Sequence, residues 1–373
     1  MQIKIIDYAL VAADYKEVKE VQDTSHPTSR SQRFNTAHHT RLDILAVVPE
    51  SATFTHAEPP WTAYGYALWQ PLIARSQAMT ESHVIQIPGF LYEDLMRCHA
   101  AWVSTNRVPQ KLVQETVEAW KSTRHGLQPM ELLDGKKKWF IRLDQMSPKD
   151  SPFGGKEPSS TFEDVVVKLC SSMRACRCLE FEKQDSERKD RGLNILLVLN
   201  AWDEGMDAGA EFRVFVPPPA ARGAKAEASK LKVSAVSQYR WHSPFAYPHG
   251  FNLDEIAKLV CVGATKILED TKAFMREELL EDTSFLLVKH GFSFDVALQK
   301  DGSVQLVEIN PFGALSGCGA CLLNWVKDGR AMYGLDEDVV FAVTLDENKR
   351  SGQEGTSVVE QLEGSGQEAV TDG

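Results

Sequence analysis

The chain has 373 residues, 43% of them hydrophobic and 25% charged, which suits a soluble globular protein of one large domain or two ordinary ones. Its 41 Lys and Arg stand against 52 Asp and Glu, a formal charge of −11, which argues against general affinity for nucleic acid or anionic membranes and favours a basic protein partner. No apolar run approaches the roughly 18 residues of a membrane span; the longest evident one, Ile195–Leu199, is a strand's worth.

The start, "MQIKIIDYAL", has no basic region followed by a long apolar stretch, so no secretory signal is expected. Seven cysteines at irregular spacings fit reduced thiols in the cytosol or nucleus. Residues 24–41 are rich in Ser, Thr and His and read as a long polar loop, with His38 and His39 solvated. From Trp61 to about Gly126 the pattern is mostly helical. In "VPQKLVQETVEAWKSTRHG", Leu112, Val113, Val117 and Trp120 recur at helical spacing behind a proline and ahead of a glycine.

"KKWFIRLDQMSPKDSPFGG" reads as a strand entering a loop of proline, glycine and charge. "TFEDVVVKL" then predicts a helix whose buried face is Phe162, Val165, Val166 and Leu169, with Thr161 as its cap. "LNILLVLNAW" and "AEFRVFV" predict two buried strands, residues 217–230 an exposed loop, and "KVSAVSQYRW" a continuation of the sheet. Asn252 or Asp254 opens a long helix through Glu281, after which "FLLVKHGFSFDVALQ" is read as strand. Beyond about Asn348 the Gly/Ser/Glu/Gln-rich ending has the composition of a disordered tail.

The stretch "FSFDVALQKDGSVQLVEINPFG" (292–313) carries the chemistry. Asp301-Gly302 between two β-rich runs signals a two-residue hairpin turn. Pairing Lys300 with Ser303 and counting outward sets Asp295 opposite Glu308, with Asn310 on the same face and Phe294, Val296, Leu298, Val307 and Ile309 on the other. Facing carboxylates repel unless a cation compensates them, and hard oxygen donors of this type suit Mg²⁺, which takes one or two carboxylates and completes its shell with water and phosphate oxygens. A solvent-facing hairpin whose acids are diluted by water gives the same pattern, so both readings stay open on spacing alone.

The fuller string of motifs sharpens the choice. "FIRLDQMSPKDSPFGG", "LNILLVLNAWDEGMDAGAEFRVFV", "KVSAVSQY" and "FDVALQKDGSVQLVEINPFG" follow one another in the order of the cell division cycle protein 123 family, which the chain resembles over about residues 138–325. That resemblance implies an α/β (α+β) fold of ATP-grasp type, with a mostly antiparallel C-terminal sheet and a smaller closing subdomain. The expected organisation is a poorly defined segment at 1–60, a helical and phosphate-side subdomain at 61–192, the metal-bearing subdomain at 193–347, and a tail at 348–373.

Taken residue by residue, the resemblance implies that Asp295, Glu308 and Asn310 hold Mg²⁺. Arg142 and the loop of Pro148, Lys149 and Asp150 would approach the phosphates of ATP. Asn200, Ala201 and Trp202 would form the adenine hinge, partly through backbone groups. Glu211 and Arg213 would complete the nucleotide site from the next strand, Arg213 reaching the phosphates with its bidentate fork. An ion pair between Arg213 and an acid such as Glu211 is the structural alternative.

Four positions depart from the family pattern: Glu308 stands for its usual aspartate, Arg142 for its lysine, and Asn200-Ala201 for its basic pair. "NWVKDG" keeps Trp325 but not the acids that follow it. The implied function is that of a nucleotide-dependent assembly factor in the cytoplasm, linked to translation initiation and the cell cycle. It would act on the gamma subunit of the heterotrimeric initiation factor that carries initiator tRNA, with no membrane and no direct nucleic-acid contact. An ATP-dependent carboxylate–amine ligase and a scaffold without nucleotide are the alternatives, so enzyme activity stays open. Asp295→Ala is expected to remove Mg²⁺-dependent stabilisation and spare the fold. "CGAC" (318–321) has an oxidoreductase-like spacing without supporting groups.

Overall fold

The computed structural model describes residues 1–20, 33–36, 39–47 and 59–346. The predicted tail, and most of the predicted polar loop, lie outside the described residues. Ten strands are found among those described: β1 (Gln2–Asp7), β2 (Ser82–Ile87), β3 (Asp134–Leu143), β4 (Ser159–Thr161), β5 (Ile195–Ala201), β6 (Glu211–Val216), β7 (Ala235–Gln238), β8 (Phe292–Leu298), β9 (Val304–Pro311) and β10 (Val340–Leu345). They fall in two compact units: Met1–Pro59, Asp207–Gln305 and Asn310–Gly373 form the first, so far as described, and Pro60–Met206 with Leu306–Ile309 the second.

The first unit is built on a sheet of order β1-β10-β7-β6-β8-β9. The central pairings of β6 with β7 and with β8 are antiparallel, whereas β10 runs parallel to both β1 and β7. All seven residues of β8 are buried, which is why "FSFDVAL" carries apolar or paired side chains at every position. One sheet face holds a core of Ile6, Phe215, Ala235 and Ala342 against Phe312, Trp325 and Tyr333. Phe312 and Phe215 meet the Trp325 ring edge-on at 4.9 and 5.5 Å, the arrangement favoured by the ring quadrupole.

The helix Leu253–Glu277 covers the region of β8 with Ile256, Val260, Ala264, Ile267, Leu268 and Thr271 at helical spacing. It opens with a capping box: Asn252 Oδ1 accepts from the Glu255 N–H, and Glu255 accepts from the Asn252 N–H, both at 2.9 Å. A glycine in mid-helix is a cost in propensity. Gly263 is explained by close approach, since a Cβ there would overlap the side chain of Val304.

The second unit pairs β2, β5, β3 and β4 in that order, with every pairing antiparallel. Helices Leu91–Thr105, Gln110–Lys121, Phe162–Cys170 and Met173–Arg188 bury their apolar stripes against Ile85, Ile87, Trp139, Ile141, Leu197 and Leu199. Val84, Phe140, Arg142, Val198 and Asn200 project from the alternate positions of the same strands. The predicted cap is present: Thr161 Oγ1 accepts from the Asp164 N–H at 3.1 Å, and Asp164 accepts from the Thr161 N–H at 2.9 Å. Thr161→Ala is therefore expected to lower stability by about 0.5–2 kcal/mol, read as a shift in urea midpoint with the m-value unchanged.

Several expectations are corrected. Phe285–His290 belongs to a helix, Glu281–His290, and not to a strand. Glu281 and Asp282 in its first turn and Lys289 and His290 in its last complement the helix dipole; Gly291, at φ 71, ends it. The preceding long helix stops at Glu277, short of Glu281. Within the region read as mostly helical, "SHVIQI" is strand β2. The first sixty residues contribute β1, with Ile3 paired to Phe341 and Ile5 to Val343. His39 is buried, not solvated.

The hairpin turn also differs. Gln299 N–H donates to Ser303 O at 2.8 Å, and Gly302 N–H to Gln299 O at 3.0 Å. Lys300, Asp301 and Gly302 thus form a three-residue loop in which Gly302 takes the left-handed position at φ 83. Counting outward from this turn no longer sets Asp295 against Glu308. In β9 the buried Leu306 and Ile309 are three apart, so plain alternation is broken between them.

Candidate functional site

The residues singled out in the sequence gather into two polar clusters, one in each unit. In the first, Arg213 on β6 and Asp295 on β8 are direct partners in an antiparallel ladder, so their side chains share a face. Arg213 donates from Nε to Asp295 Oδ1 and from Nη2 to Asp295 Oδ2, both at 2.8 Å. Its Nη1 donates to the Gly319 carbonyl at 3.0 Å, and its guanidinium carbon lies 5.2 Å from the Tyr239 ring centre. Asn310 Nδ2 donates to Asp295 Oδ2 at 3.2 Å.

Asp295 is 1% exposed and Arg213 8%. Burial works against the charge on Arg213, but the Asp295 carboxylate outweighs it and holds the guanidinium pKa well above its ordinary value. The ion-pair partner is Asp295 rather than Glu211, which the sequence had offered. Glu211 is half-buried at the start of β6, where its carbonyl accepts from the Tyr239 N–H at 3.0 Å.

In the second cluster Arg142, on β3, donates from Nη1 to Glu308 Oε2 at 2.7 Å. Its guanidinium carbon sits 4.0 Å from the centre of the Tyr66 ring, the distance of a cation–π contact. Asn200, on β5, donates from Nδ2 to the Tyr66 hydroxyl at 2.7 Å and accepts from Ser82 Oγ at 2.6 Å. Arg142, Asn200 and Tyr66 are all buried. Burial raises the Tyr66 pKa, opposed by the charge of Arg142; burial also opposes the Arg142 charge, but Glu308 raises that pKa overall. The β9 backbone is anchored here by Ser76 Oγ, which accepts from the Leu306 N–H, and by Gln77 Nε2, which donates to the Leu306 carbonyl.

The remaining positions take other places. Lys149 is exposed on its loop. Asp150 accepts from the Ser172 hydroxyl and from the Arg174 N–H, and so binds the first turn of the helix Met173–Arg188. Ala201 N–H donates to the Glu81 carbonyl at 3.0 Å and Trp202 N–H to the Lys138 carbonyl at 2.9 Å, so these two donors are engaged in the sheet. Trp202 itself is half-buried. Tyr66 and Tyr239 went unnoticed in the sequence, where no local pattern marks them.

Among the described residues no group of three or more His, Cys, Asp or Glu side chains is arranged to hold a metal, and no disulfide joins the cysteines. The donor chemistry nonetheless fits Mg²⁺. Asp295 and Asn310 carry hard oxygens at neighbouring positions of the first unit, and Mg²⁺ asks only one or two carboxylates of a protein; Glu308 belongs to the second unit. The charge argument is altered, however. Each carboxylate already has a guanidinium as counter-ion, so a metal is not needed to explain why the acids are tolerated.

One unit holds a mixed six-stranded sheet and the other an antiparallel four-stranded sheet backed by helices, which makes this a mixed α/β protein. The C-terminally truncated Cdc123 of Schizosaccharomyces pombe matches the chain with a TM-score of 0.50 and 19% identity, covering 77% of this chain and 96% of that one. The structure of Cdc123 from the same organism gives a TM-score of 0.49 and 19% identity over 83% and 99%. No protein-family model and no curated protein matches the sequence. The chain has the Cdc123 fold, and the resemblance read from the sequence is borne out at that level. Among the described residues no helix is long and apolar enough to cross a membrane.

Proposed function

We propose that this protein is a divergent member of the Cdc123 family, working in the cytoplasm as a Mg-ATP-binding assembly factor. Its client is the gamma subunit of the heterotrimeric initiation factor that carries initiator tRNA. The observation that carries the reading is the cluster of Arg213, Asp295 and Asn310: a buried guanidinium and carboxylate with a half-buried amide, joined by bonds of 2.8–3.2 Å. A triphosphate with Mg²⁺ asks for these same three chemistries, a fixed cation for the phosphates and hard oxygens for the metal. Arg142 adds a second buried guanidinium beside Glu308. Asp295 and the amide oxygen of Asn310 would hold Mg²⁺ in the first unit, and the ion would supply positive charge to the phosphates. The match over 96% of the truncated Cdc123 chain and the order of the motifs support assigning these positions together.

Thermal melts test the nucleotide half. ATP with Mg²⁺ at about 100 times its dissociation constant is expected to add about 2.7 kcal/mol, seen as a raised melting temperature that EDTA reverses. No shift at millimolar Mg-ATP would overturn the nucleotide assignment. Affinity purification from cytosol tests the partner: recovery of the initiation-factor gamma subunit, strengthened by Mg-ATP, is the expected result, and its absence counts against the assembly role.

A further inference from the structure

We infer that Cys98 and Cys170 form a dithiol that hydrogen peroxide oxidises to a disulfide, joining two helices of the second unit. Cys98 lies in the middle of the helix Leu91–Thr105, and Cys170 is the last residue of the helix Phe162–Cys170. Both belong to that unit's core, at 0% and 1% exposure, and neither is in a disulfide. Their side chains are hydrogen-bonded to each other across the packed helices. Thiols in that contact already point towards one another, as a disulfide requires. The backbone holds them there, since His99 Nδ1 donates to the Cys170 carbonyl at 2.8 Å. On its other side Cys98 Sγ lies 3.8 Å from Thr116 Oγ1, whose hydroxyl donates to the Leu112 carbonyl.

The two thiols are unlike. The Cys170 thiol, as a hydrogen-bond donor, pulls the Cys98 pKa down to about 7 against the effect of burial, and Thr116 assists. The same bond, with burial, holds Cys170 well above its ordinary value. Cys176, Cys178 and Cys261 are each pushed up to about 11, chiefly by burial. Cys98 is thus prepared to attack and Cys170 to stay protonated and resolve. Hydrogen peroxide, small and neutral, suits a buried pair. The Cys98 thiolate attacks one peroxide oxygen, forming an S–O bond as the O–O bond breaks, and the departing hydroxide becomes water with the proton that Cys98 released. The Cys170 sulfur then attacks the Cys98 sulfur; the S–O bond breaks, and the hydroxyl leaves as water with the Cys170 proton. Two thiols and one peroxide give one disulfide and two waters, each sulfur being oxidised and the peroxide reduced. In a reducing compartment such a bond is transient and reports oxidation.

The test treats the folded full chain with hydrogen peroxide, caps the remaining thiols with N-ethylmaleimide in urea, and maps the digest by mass spectrometry. The expected product is a peptide pair joined through Cys98 and Cys170, lighter by two hydrogens than the reduced peptides and separated by dithiothreitol. Both single variants are expected to lose it, in different ways. In Cys170→Ser, Cys98 stops at the sulfenic acid, which dimedone traps; in Cys98→Ser, Cys170 stays a thiol. Dimedone on Cys170 in Cys98→Ser would overturn the assigned roles. Recovery of both Cys98 and Cys170 as maleimide adducts from peroxide-treated wild type overturns the whole inference and needs no variant. A cross-link from either to a different cysteine, or one that forms only after the chain is unfolded in urea, overturns it as well.

Discussion

Asp295→Ala is expected to lower the stability of the first unit by about 3–5 kcal/mol, the usual cost of removing one member of a buried ion pair. Arg213 is 8% exposed and an arginine does not shed its proton in a protein, so the variant leaves a charge with nowhere to go. The Gly319 carbonyl and the Tyr239 ring remain beside it, yet neither carries a full counter-charge. Asp295 was expected from the sequence to act on bound metal alone, and its loss to spare the fold. Its burial and its two bonds to Arg213 reverse that expectation.

Urea denaturation followed by fluorescence should register the loss, since Trp325 lies in the same unit's core. Replacing both partners with apolar residues, as in R213M/D295L, should recover most of it. A single-variant loss below about 1 kcal/mol would show the pair to be as weak as a surface salt bridge.

Much of the fold was legible because the cues are local. β6 and β8 are short runs rich in Phe and Val, and the boxes at Thr161 and Asn252 are written in four consecutive residues each. What escaped was decided at a distance. β1 is a six-residue strand whose pairing partner, β10, lies more than three hundred residues along the chain. "FLLV" at 285–288 is an apolar run too short to separate strand from helix by periodicity; the charges flanking it, Glu281, Asp282, Lys289 and His290, decide for helix.

The site followed the same rule. Both arginines and all three oxygen-bearing residues were visible as types, but which acid meets which arginine is a matter of register. The nearest acid to Arg213 in sequence is Glu211, two residues away, whereas its partner Asp295 is 82 residues on. The reading of facing acids rested on a two-residue turn, and a third residue in that turn was enough to undo the count.

A second large effect concerns the two departures Arg142 and Glu308. In the sequence they stand 166 residues apart, an arginine and a glutamate where the resembled pattern has lysine and aspartate. They are in contact at 2.7 Å, with side chains 6% and 21% exposed. They are one change. The longer acid reaches an arginine whose guanidinium carbon sits 4.0 Å from the Tyr66 ring centre, a contact that the compact ammonium of lysine does not reproduce.

Glu308→Asp shortens the arm and opens that bond, and Arg142→Lys gives up the ring contact. Each alone is expected to cost about 1–3 kcal/mol, as loss of a hydrogen bond to a charged group does. Making both changes together, as R142K/E308D, should cost clearly less than the sum, with a coupling of about 0.5–3 kcal/mol for residues in direct contact. Urea titration of the four proteins measures it. Additivity to within about 0.3–0.5 kcal/mol would mean that the two residues act independently. A positive coupling ties both to one requirement: an arginine held rigidly at this place needs a counter-ion long enough to reach it.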